Sequence, residues 1–382
     1  MIYIDTRYAY SVSKKSGQFN GGNNYCRNVI TGFISKQIDF CLICNNNTSS
    51  FLMNDFKINN SSIIIKNNFD KLIIDNGIYF VPLIDDSFSY YLELKHFKKN
   101  NPNMVIVATI HDRRHMANIF DRFNGTLHLG IKKNWIIYGV GRLIRGLYKD
   151  LVIKKIMKCC DKILTVSNYS MQQLLNLYPK ANISYYNQFI NFSSKTTKNT
   201  YPSKKILFVS AGRSEKNFIR ALMAFEKYID ETKDNKCVII ATGLSNTQQL
   251  LLHSSKLFKE SFLKNNTILY DYVSNDTLQQ LYNECRFLLF TSKCEGYGLP
   301  IAEALLHGKP SVVSNATSMP EVANSCSVFV NPYSIHSIKE GIVTLMNETY
   351  YLSLLKYINV KKEILIKQMT LDNELFINNF FQ

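Results

Sequence analysis

Residues Cys294–Pro310 read CEGYGLPIAEALLHGKP and place two carboxylates, Glu295 and Glu303, eight positions apart across a turn with two glycines and a proline. Gly296 and Gly298 permit a tight path and a close approach of backbone to a ligand, with Tyr297 between them. Leu299 and Pro300 follow, and a proline suits the first turn of a helix that IAEALLHG continues. Gly308 and Pro310 supply the usual stop. The free N–H groups and positive dipole end at the start of such a helix favour a phosphate. Glu303, expected in the first helical turn, then lies beside that phosphate. A carboxylate is a poor phosphate ligand but a good acceptor for two vicinal hydroxyls, such as those of a ribose. Glu295, before the turn, can hold hydroxyls of whatever the diphosphate carries at its other end. The pattern suits a nucleoside diphosphate sugar, with ribose at Glu303, phosphates at the turn and sugar at Glu295. Taken singly, each glutamate also fits a plainer role. Glu303 could stabilise a helix start by about 0.3–1 kcal/mol, and Glu295 could be a solvated loop residue. The combination of a preceding strand, the spacing of the glutamates and the closing GKP favours the ligand reading.

These residues need elements to position them. Short continuous apolar runs recur with helical patterns between them: MIYI, DFCLIC, IYFVPL, MVIVATI and KILTVS in the first half, then KILFVS, CVIIAT, TILYDYV, RFLLFTS, PSVVS and SVFVN. Continuous apolar runs suit strands buried on both faces of parallel sheets. Their alternation with helices implies βαβ units and doubly wound α/β sheets. RFLLFTS ends at Ser292, so the glutamate turn lies at the carboxyl end of a strand, where open α/β sheets bind ligands. After ISYYNQF the chain becomes polar through INFSSKTTKNTYPSKK. The expected division is therefore an α/β domain over 1–187, a linker over 188–203 and a second α/β domain over 204–360, which the resemblance described below makes the Rossmann-like acceptor-binding and nucleotide-sugar-binding domains. A C-terminal helix over 361–382 is expected to pack back on the N-terminal domain. Two such domains joined once would leave a cleft between their sheet ends.

Bulk composition narrows the classes. The 382 residues are 46% hydrophobic and 19% charged, which describes a globular protein rather than a disordered one. The formal charge of +16 points to a polyanionic partner: nucleic acid, an anionic membrane surface or a phosphorylated small molecule. The Asn- and Lys-rich runs NNNTSS, KINNSS and KNNFD offer a second account, an AT-rich coding sequence. Nine cysteines have no framework spacing. Cys41 and Cys44 lie inside a strand-like FCLIC with no second pair at metal distance, so zinc is not expected, and Cys159-Cys160 read as helix packing. Reduced thiols of a cytosolic protein account for them. MIYIDTR lacks the basic start and apolar stretch of a signal peptide, and no run approaches the ~18 apolar residues of a spanning helix. A cytoplasmic location is expected, with any membrane contact peripheral, on the inner face of the plasma membrane.

The stretch CEGYGLPIAEALLHGKPSVVSNATSMPEV closely resembles the signature of the retaining glycosyltransferases of family 4, which have the GT-B fold. NDTLQQLYNECRFLLFTS looks like the helix and strand before that signature, and SMPEVANSCSVFVNP like the segment after it. The resemblance implies that Glu295 contacts the donor sugar, that the backbone of the turn meets sugar and phosphate, and that Glu303 binds the ribose. In SAGRSEKNFIRAL, Lys216-Asn217 matches the family's diphosphate clamp. Arg213 stands where its second cation is expected, while Glu215 occupies a place often basic in relatives. Gly21-Gly22 in QFNGGNNYCRNVI resembles the glycine loop of the family's N-terminal domain, though that loop often lies closer to its strand. His111, at a strand end in ATIHDRRH, matches a histidine that touches the donor sugar. Glu321 in SMPEV matches a family glutamate with a structural role in the donor loop. The resemblance further implies retention of anomeric configuration by a front-face route, no metal requirement and no other cofactor. The expected activity is transfer from a nucleotide-diphosphate sugar to a glycan or lipid-linked acceptor, in bacterial surface polysaccharide assembly.

From Ile131 to Lys162 the chain carries nine Lys or Arg against two Asp, its only tryptophan, Trp135, and two tyrosines. Such a basic amphipathic segment suits an anionic membrane surface. A core helix with one solvated basic face is the plainer account, and Gly139, Gly141 and Gly146 argue against one continuous helix. GVGRLIRG does not follow a strand and is no dinucleotide fingerprint. Asp85-Asp86 has no partner motif for a metal. His115 reads as a surface residue, and Ser167 as a helix cap. Two other readings remain: a nucleotide-sugar epimerase or phosphorylase of similar fold, and a nucleic-acid-binding protein driven by charge. The full glutamate signature opposes the first. The second needs a known module or basic residues interleaved with aromatics, and neither occurs, so nucleic acid is not an expected partner. A partner subunit without catalysis is opposed by the intact glutamates and Lys216.

Overall fold

The computed structural model describes residues 1–8, 21–45, 52, 56, 63–65, 72–74, 76–117, 119–121, 123, 135–187, 203–259 and 263–378. Of the expected linker, 188–202 lies outside these residues, as does the loop before Gly21. The chain forms two compact units. The first comprises Met1–His115, Ile144–Asn191 and Gln368–Gln382; the second comprises Met116–Leu143 and Phe192–Lys367.

The first unit is built on a seven-stranded sheet in the order β3-β2-β1-β4-β5-β6-β7. Its strands are β1 (Ile2–Asp5), β2 (Phe40–Cys44), β3 (Ile63–Ile65), β4 (Gly77–Val81), β5 (Met104–Thr109), β6 (Lys162–Thr165) and β7 (Ile183–Tyr185). Every pairing is parallel. The strands are apolar along their length because helices cover both faces of such a sheet. Helix Phe88–Asn100 buries Tyr90, Leu94 and Phe97, spaced at four and three residues, and starts at Ser87, whose side chain accepts from Tyr90 N. Helix Asn168–Leu177 begins at Ser167 as the sequence implies, with Oγ accepting from Ser170 N at 3.1 Å. Phe376, near the end of helix Glu348–Asn378, packs against Phe33, Phe80 and Tyr186 with ring centroids 6.4, 6.0 and 5.7 Å away. Asn187 donates to Asp372 of the same helix.

Helix Trp135–Cys159 runs unbroken through Gly139, Gly141 and Gly146, against the expectation from its glycines. Close packing explains the first of them. A Cβ on Gly139 would lie 2.5 Å from Cδ1 of the half-exposed Phe120, so a larger residue there would have to push that ring aside.

The second unit is built on a six-stranded parallel sheet in the order β10-β9-β8-β11-β12-β13. These strands are β8 (Lys205–Phe208), β9 (Val238–Ala241), β10 (Thr267–Leu269), β11 (Phe287–Phe290), β12 (Ser311–Ser314) and β13 (Ser327–Val330). All six coincide with the apolar runs of the second half. Phe208, Phe225, Phe287, Leu289, Ile338 and Ile342 form part of its buried core. Because β8, β11 and β12 are parallel neighbours, the loops after them emerge side by side at one end of the sheet. Lys216, Glu295 and Ser318 all lie on these loops.

The fold is GT-B: two Rossmann-like α/β units with parallel sheets.

Candidate functional site

The loop after β8 folds into a single 3-10 turn, Ser214–Lys216, closed by Asn217 in the left-handed region at φ 68°. Asparagine tolerates this conformation better than most side chains. Backbone and short polar side chains stitch the turn to the loop after β11. Lys293 N donates to Glu215 O at 2.8 Å, Ser292 Oγ to the same carbonyl at 3.1 Å, and Asn217 Nδ2 to Thr291 O at 3.2 Å. The two segments that the sequence marks as chemical are therefore one structural object.

At its centre is an ion pair. Lys216 Nζ donates to Glu295 Oε1 at 2.5 Å, and both side chains are buried, 5% and 10% exposed. The ammonium also lies 4.6 Å from the centroid of the Phe290 ring. Burial lowers the Lys216 pKa; the Glu295 charge opposes the shift without cancelling it. Burial raises the Glu303 pKa, against a hydrogen bond from Tyr282 and the charge of Lys216. Lys216 thus acts on both carboxylates. Tyr282 OH donates to Glu303 Oε2 at 2.8 Å, holding the carboxylate in one orientation.

Between the glutamates the turn is fixed from behind. Gly298 sits at φ 109° as the N-cap of helix Leu299–Leu306, with Pro300 in its first turn. A Cβ there would meet Ile301 Cδ1 at 3.1 Å, in a backbone region that disfavours any side chain. Gly296, Tyr297 and Gly298 are buried, and Leu299 and Pro300 are half-buried. Ser318, fully buried, donates through Oγ to Glu295 O at 3.0 Å and Tyr297 O at 2.9 Å. Glu295 N donates to Thr317 Oγ1 at 3.1 Å. The helix ends at Gly308, φ 70°. Glu303 is the fifth residue of this helix and not in its first turn. Helix-start stabilisation therefore does not account for it, since that effect falls off within the first turn.

The other expected residues fall as follows. Arg213 pairs with Glu215, and both side chains reach solvent. Asn217 spends its amide inside the protein, on Thr291 O and on Pro332 O at 2.7 Å, so its role is to shape the turn. Glu321 is exposed on helix Met319–Ala323. In the first unit, Gly21 and Gly22 open helix Gly21–Ser35. His111 follows β5, with Nε2 3.2 Å from Pro82 O and the Tyr25 ring edge-on at 4.8 Å. Burial holds it down to about 4, so it is a neutral imidazole at physiological pH. Asp112 is committed to Arg114, with Nε 2.8 Å from Oδ1. His115 is not a surface residue: Nε2 lies 2.8 Å from Asp150 Oδ1 and the ring is 12% exposed. Asp86 accepts from Lys149 at 2.5 Å and Asp85 from Ser87 at 3.0 Å, which accounts for that acidic pair.

Tyr282, Thr317 and Ser318 escape a motif reading, because they act on the glutamate turn through hydroxyls on separate elements. No group of three or more His, Cys, Asp or Glu suited to a metal occurs among the described residues. Nor is any described helix long and apolar enough to cross a membrane. Among the described cysteines Cys26, Cys44, Cys237, Cys285, Cys294 and Cys326 are buried, and all nine are free thiols.

Residues 190–360 match the family model described as glycosyl transferases group 1. The chain is 27% identical to the O-antigen chain mannosyltransferase RfbU of Salmonella typhimurium, over 66% of this chain and 67% of that one. It is also 27% identical over 156 residues to the serotype-specific mannosyltransferase WbdA of Escherichia coli, covering 40% of this chain but only 19% of that relative. Among solved structures, Anabaena Alr3699/HepE in complex with UDP and glucose superposes with a TM-score of 0.69 at 12% identity, covering 100% of this chain and 99% of the other. That likeness is one of fold. The matched residues 190–360 hold the Lys216–Glu295 pair and Glu303.

Proposed function

We propose that this chain is a retaining, metal-independent glycosyltransferase that moves a hexosyl group from a nucleoside diphosphate sugar to a hydroxyl of a glycan or lipid-linked saccharide. The observation that carries this reading is the buried Lys216–Glu295 pair, whose ammonium charge also acts on Glu303. Glu303, oriented by Tyr282, accepts from the ribose hydroxyls. The N-terminus of helix Leu299–Leu306 and the Lys216 ammonium meet the diphosphate, with Arg213 as a second cation once it leaves Glu215. Glu295 holds hydroxyls of the sugar and does not attack it. Its carboxylate is already neutralised by Lys216, which makes it a weak nucleophile and a good orienting acceptor.

In the proposed step the bond from the anomeric carbon to the diphosphate oxygen breaks while the acceptor oxygen bonds on the same face. The acceptor's proton passes to the departing phosphate. Positive charge placed beforehand on the developing phosphate charge is the main electrostatic help such a step needs. No metal enters this scheme, because Lys216, Arg213 and the helix dipole carry that charge. His111, neutral and donating Nε2–H to Pro82 O, keeps only Nδ1, as an acceptor for a sugar hydroxyl.

The names of the two relatives make mannose the first donor sugar to try and surface O-antigen polysaccharide the first acceptor class. A second observation concerns location. On helix Trp135–Cys159, Ile144, Leu147, Tyr148 and Leu151 are 65, 51, 50 and 62% exposed at spacings of three, one and three residues. Arg145 and Lys155 are exposed on the same helix. An apolar stripe edged with cations fits peripheral docking on an anionic membrane, at its cytoplasmic face.

The test is to incubate GDP-mannose and UDP-glucose with the protein and a saccharide on a hydrophobic aglycone, following the anomeric signal by NMR. Transfer with the donor's anomeric configuration kept, and donor consumed only when acceptor is present, supports the reading. Turnover of donor alone to an epimer, or consumption that needs only phosphate, assigns the chain to the epimerase or phosphorylase class instead.

A further inference from the structure

Three charged side chains of the second unit are buried and not used above: Asp121, Arg220 and Lys293, 1%, 7% and 2% exposed. They form one cluster. Arg220 grips Asp121 with both arms, Nη1 to Oδ2 at 2.7 Å and Nη2 to Oδ1 at 3.0 Å. Lys293 Nζ lies 3.2 Å from Asp121 Oδ2. Phe123 N donates to Asp121 Oδ1 at 2.9 Å, and the Arg220 guanidinium lies over the Phe123 and Tyr333 rings at 4.5 and 5.5 Å.

What each cation is attached to gives the cluster its meaning. Arg220 is one helical turn beyond Lys216, and its Nη1 also donates to Asn217 Oδ1 at 3.0 Å. Asn217 is the left-handed residue that closes the Lys216 turn, and its amide nitrogen ties that turn to Thr291 and Pro332. Lys293 is two residues before Glu295, and its own N–H holds Glu215 O. One cation thus belongs to helix Phe218–Thr232, which leaves the loop after β8 at Asn217, and the other to the loop after β11. Two buried cations brought together this way repel and lose hydration unless a carboxylate lies between them. The carboxylate comes from residue 121, on a segment that packs with this unit although the chain reaches it long before β8. Burial alone would raise the Asp121 pKa, but the Arg220 hydrogen bond and the Lys293 charge hold it down to about 2.

We propose that Asp121 is a positioning residue, a single carboxylate that locks the Lys216 turn and the Glu295 loop in register through Arg220 and Lys293. Asp121 touches no reacting atom. It sets where the Lys216 ammonium stands relative to Glu295 and Glu303. The inference rests on the assignment of those three residues to the donor site, but its structural half can be tested without a substrate.

The test has two parts, on Asp121→Asn and on Asp121→Asn/Lys293→Met, which also removes one cation should the single variant fold poorly. In the first, folded protein is labelled with a trace of acetic anhydride and each lysine is read by mass spectrometry. In the wild type Lys216 labels slowly beside Lys233, whose side chain is 71% exposed. Loss of the clamp raises Lys216 labelling at least about fivefold through local opening, with Lys233 unchanged. Unchanged Lys216 labelling in both folded variants overturns the proposal. In the second part, transfer is measured in a double-mutant cycle with Lys216→Ala. Asp121→Asn lowers kcat about 10- to 100-fold with Lys216 present and has little further effect once Lys216 is gone. Its effect on melting temperature is the same in both backgrounds. Additive losses in kcat mean a general structural role and refute positioning. If the wild type neither transfers sugar nor binds a nucleotide, the function assigned above fails, and the labelling result still decides for or against the clamp.

Discussion

Replacing Glu295 by glutamine probes the buried pair most sharply. The substitution keeps size and shape but leaves the Lys216 ammonium, 4% exposed, without its directly bonded counter-charge. Removing one partner of a buried pair costs about 3–5 kcal/mol, because the remaining charge stays desolvated and unmatched. In a unit of about 200 residues, 3 kcal/mol lowers the melting temperature by about 6–12 °C. The sign of the pH dependence follows from Lys216. Its folded pKa is already lowered by burial, and loss of Glu295, which opposes that shift, lowers it further. In such a case the unfolded chain binds more protons between the folded and unfolded pKa values, so stability rises with pH up to about 10.5. The deficit of Glu295→Gln against wild type therefore shrinks between pH 7 and pH 10. Adding Lys216→Met to Glu295→Gln removes the orphaned charge and restores most of the lost stability, while transfer stays abolished. The assay is thermal unfolding at several pH values for wild type, the single variant and the double variant. If Glu295→Gln melts with the wild type at pH 7, or the double variant melts below it, the pair is not the buried, mutually dependent object described.

Three further outcomes are expected. His111 and His307 are both held by burial at about 4, against about 6.5 when unfolded, so the unfolded chain takes up protons the native one refuses as pH falls through that window. Stability falls from pH 6.5 to pH 4 by up to ~3 kcal/mol for the buried His111 and by less for His307, which solvent partly screens. His307→Gln flattens that slope, whereas a melting temperature that stays level across the window would show both histidines to be accessible. Gly298→Ala forces a side chain into φ 109° against Ile301 and costs about 1–2 kcal/mol together with weaker nucleotide binding; a variant equal to wild type in melting and binding would show the turn to be relaxed. Ile144→Asp and Leu151→Asp each reduce co-flotation with phosphatidylglycerol vesicles, and high salt does the same to wild type; wild-type protein that never floats would remove the membrane reading.

Much of the second unit was legible in the sequence for a physical reason. Strands buried on both faces are continuous apolar runs, and a glycine-proline helix start between two glutamates is a rare local pattern. Lys216-Asn217 stood out by its resemblance to a known clamp, and the Asn217 side chain bonds to Thr291 O, Pro332 O and Arg220. The edge strands Ile63–Ile65 and Ile183–Tyr185, three residues each, are too short to stand out. Glu303 falls in the second turn because the helix begins at Leu299, one residue after a glycine whose own φ excludes it from the helix. Asp121 was not legible at all: Arg220 lies 99 residues away in the chain, and nothing near residue 121 announces a partner. The available signal was Lys293. A lysine wedged between a buried strand and a buried glutamate turn must find a counter-charge somewhere, and tracing that requirement leads to Asp121. His115 misleads for a similar reason, since its partner Asp150 sits on another helix.

Lys216, Glu295 and Glu303 are proposed above to form a site for a nucleoside diphosphate sugar. A thermal-shift titration of the purified protein with UDP, GDP, dTDP, ADP and CMP, repeated on Glu303→Ala and Lys216→Ala, tests it most directly. A ligand that binds only the folded state raises stability by RT ln(1 + [L]/Kd), about 2.7 kcal/mol at a hundredfold excess over Kd. The expected outcome is a shift with one diphosphate that disappears in both variants. A shift that survives both substitutions, or none with any nucleotide while the protein transfers sugar, would contradict it.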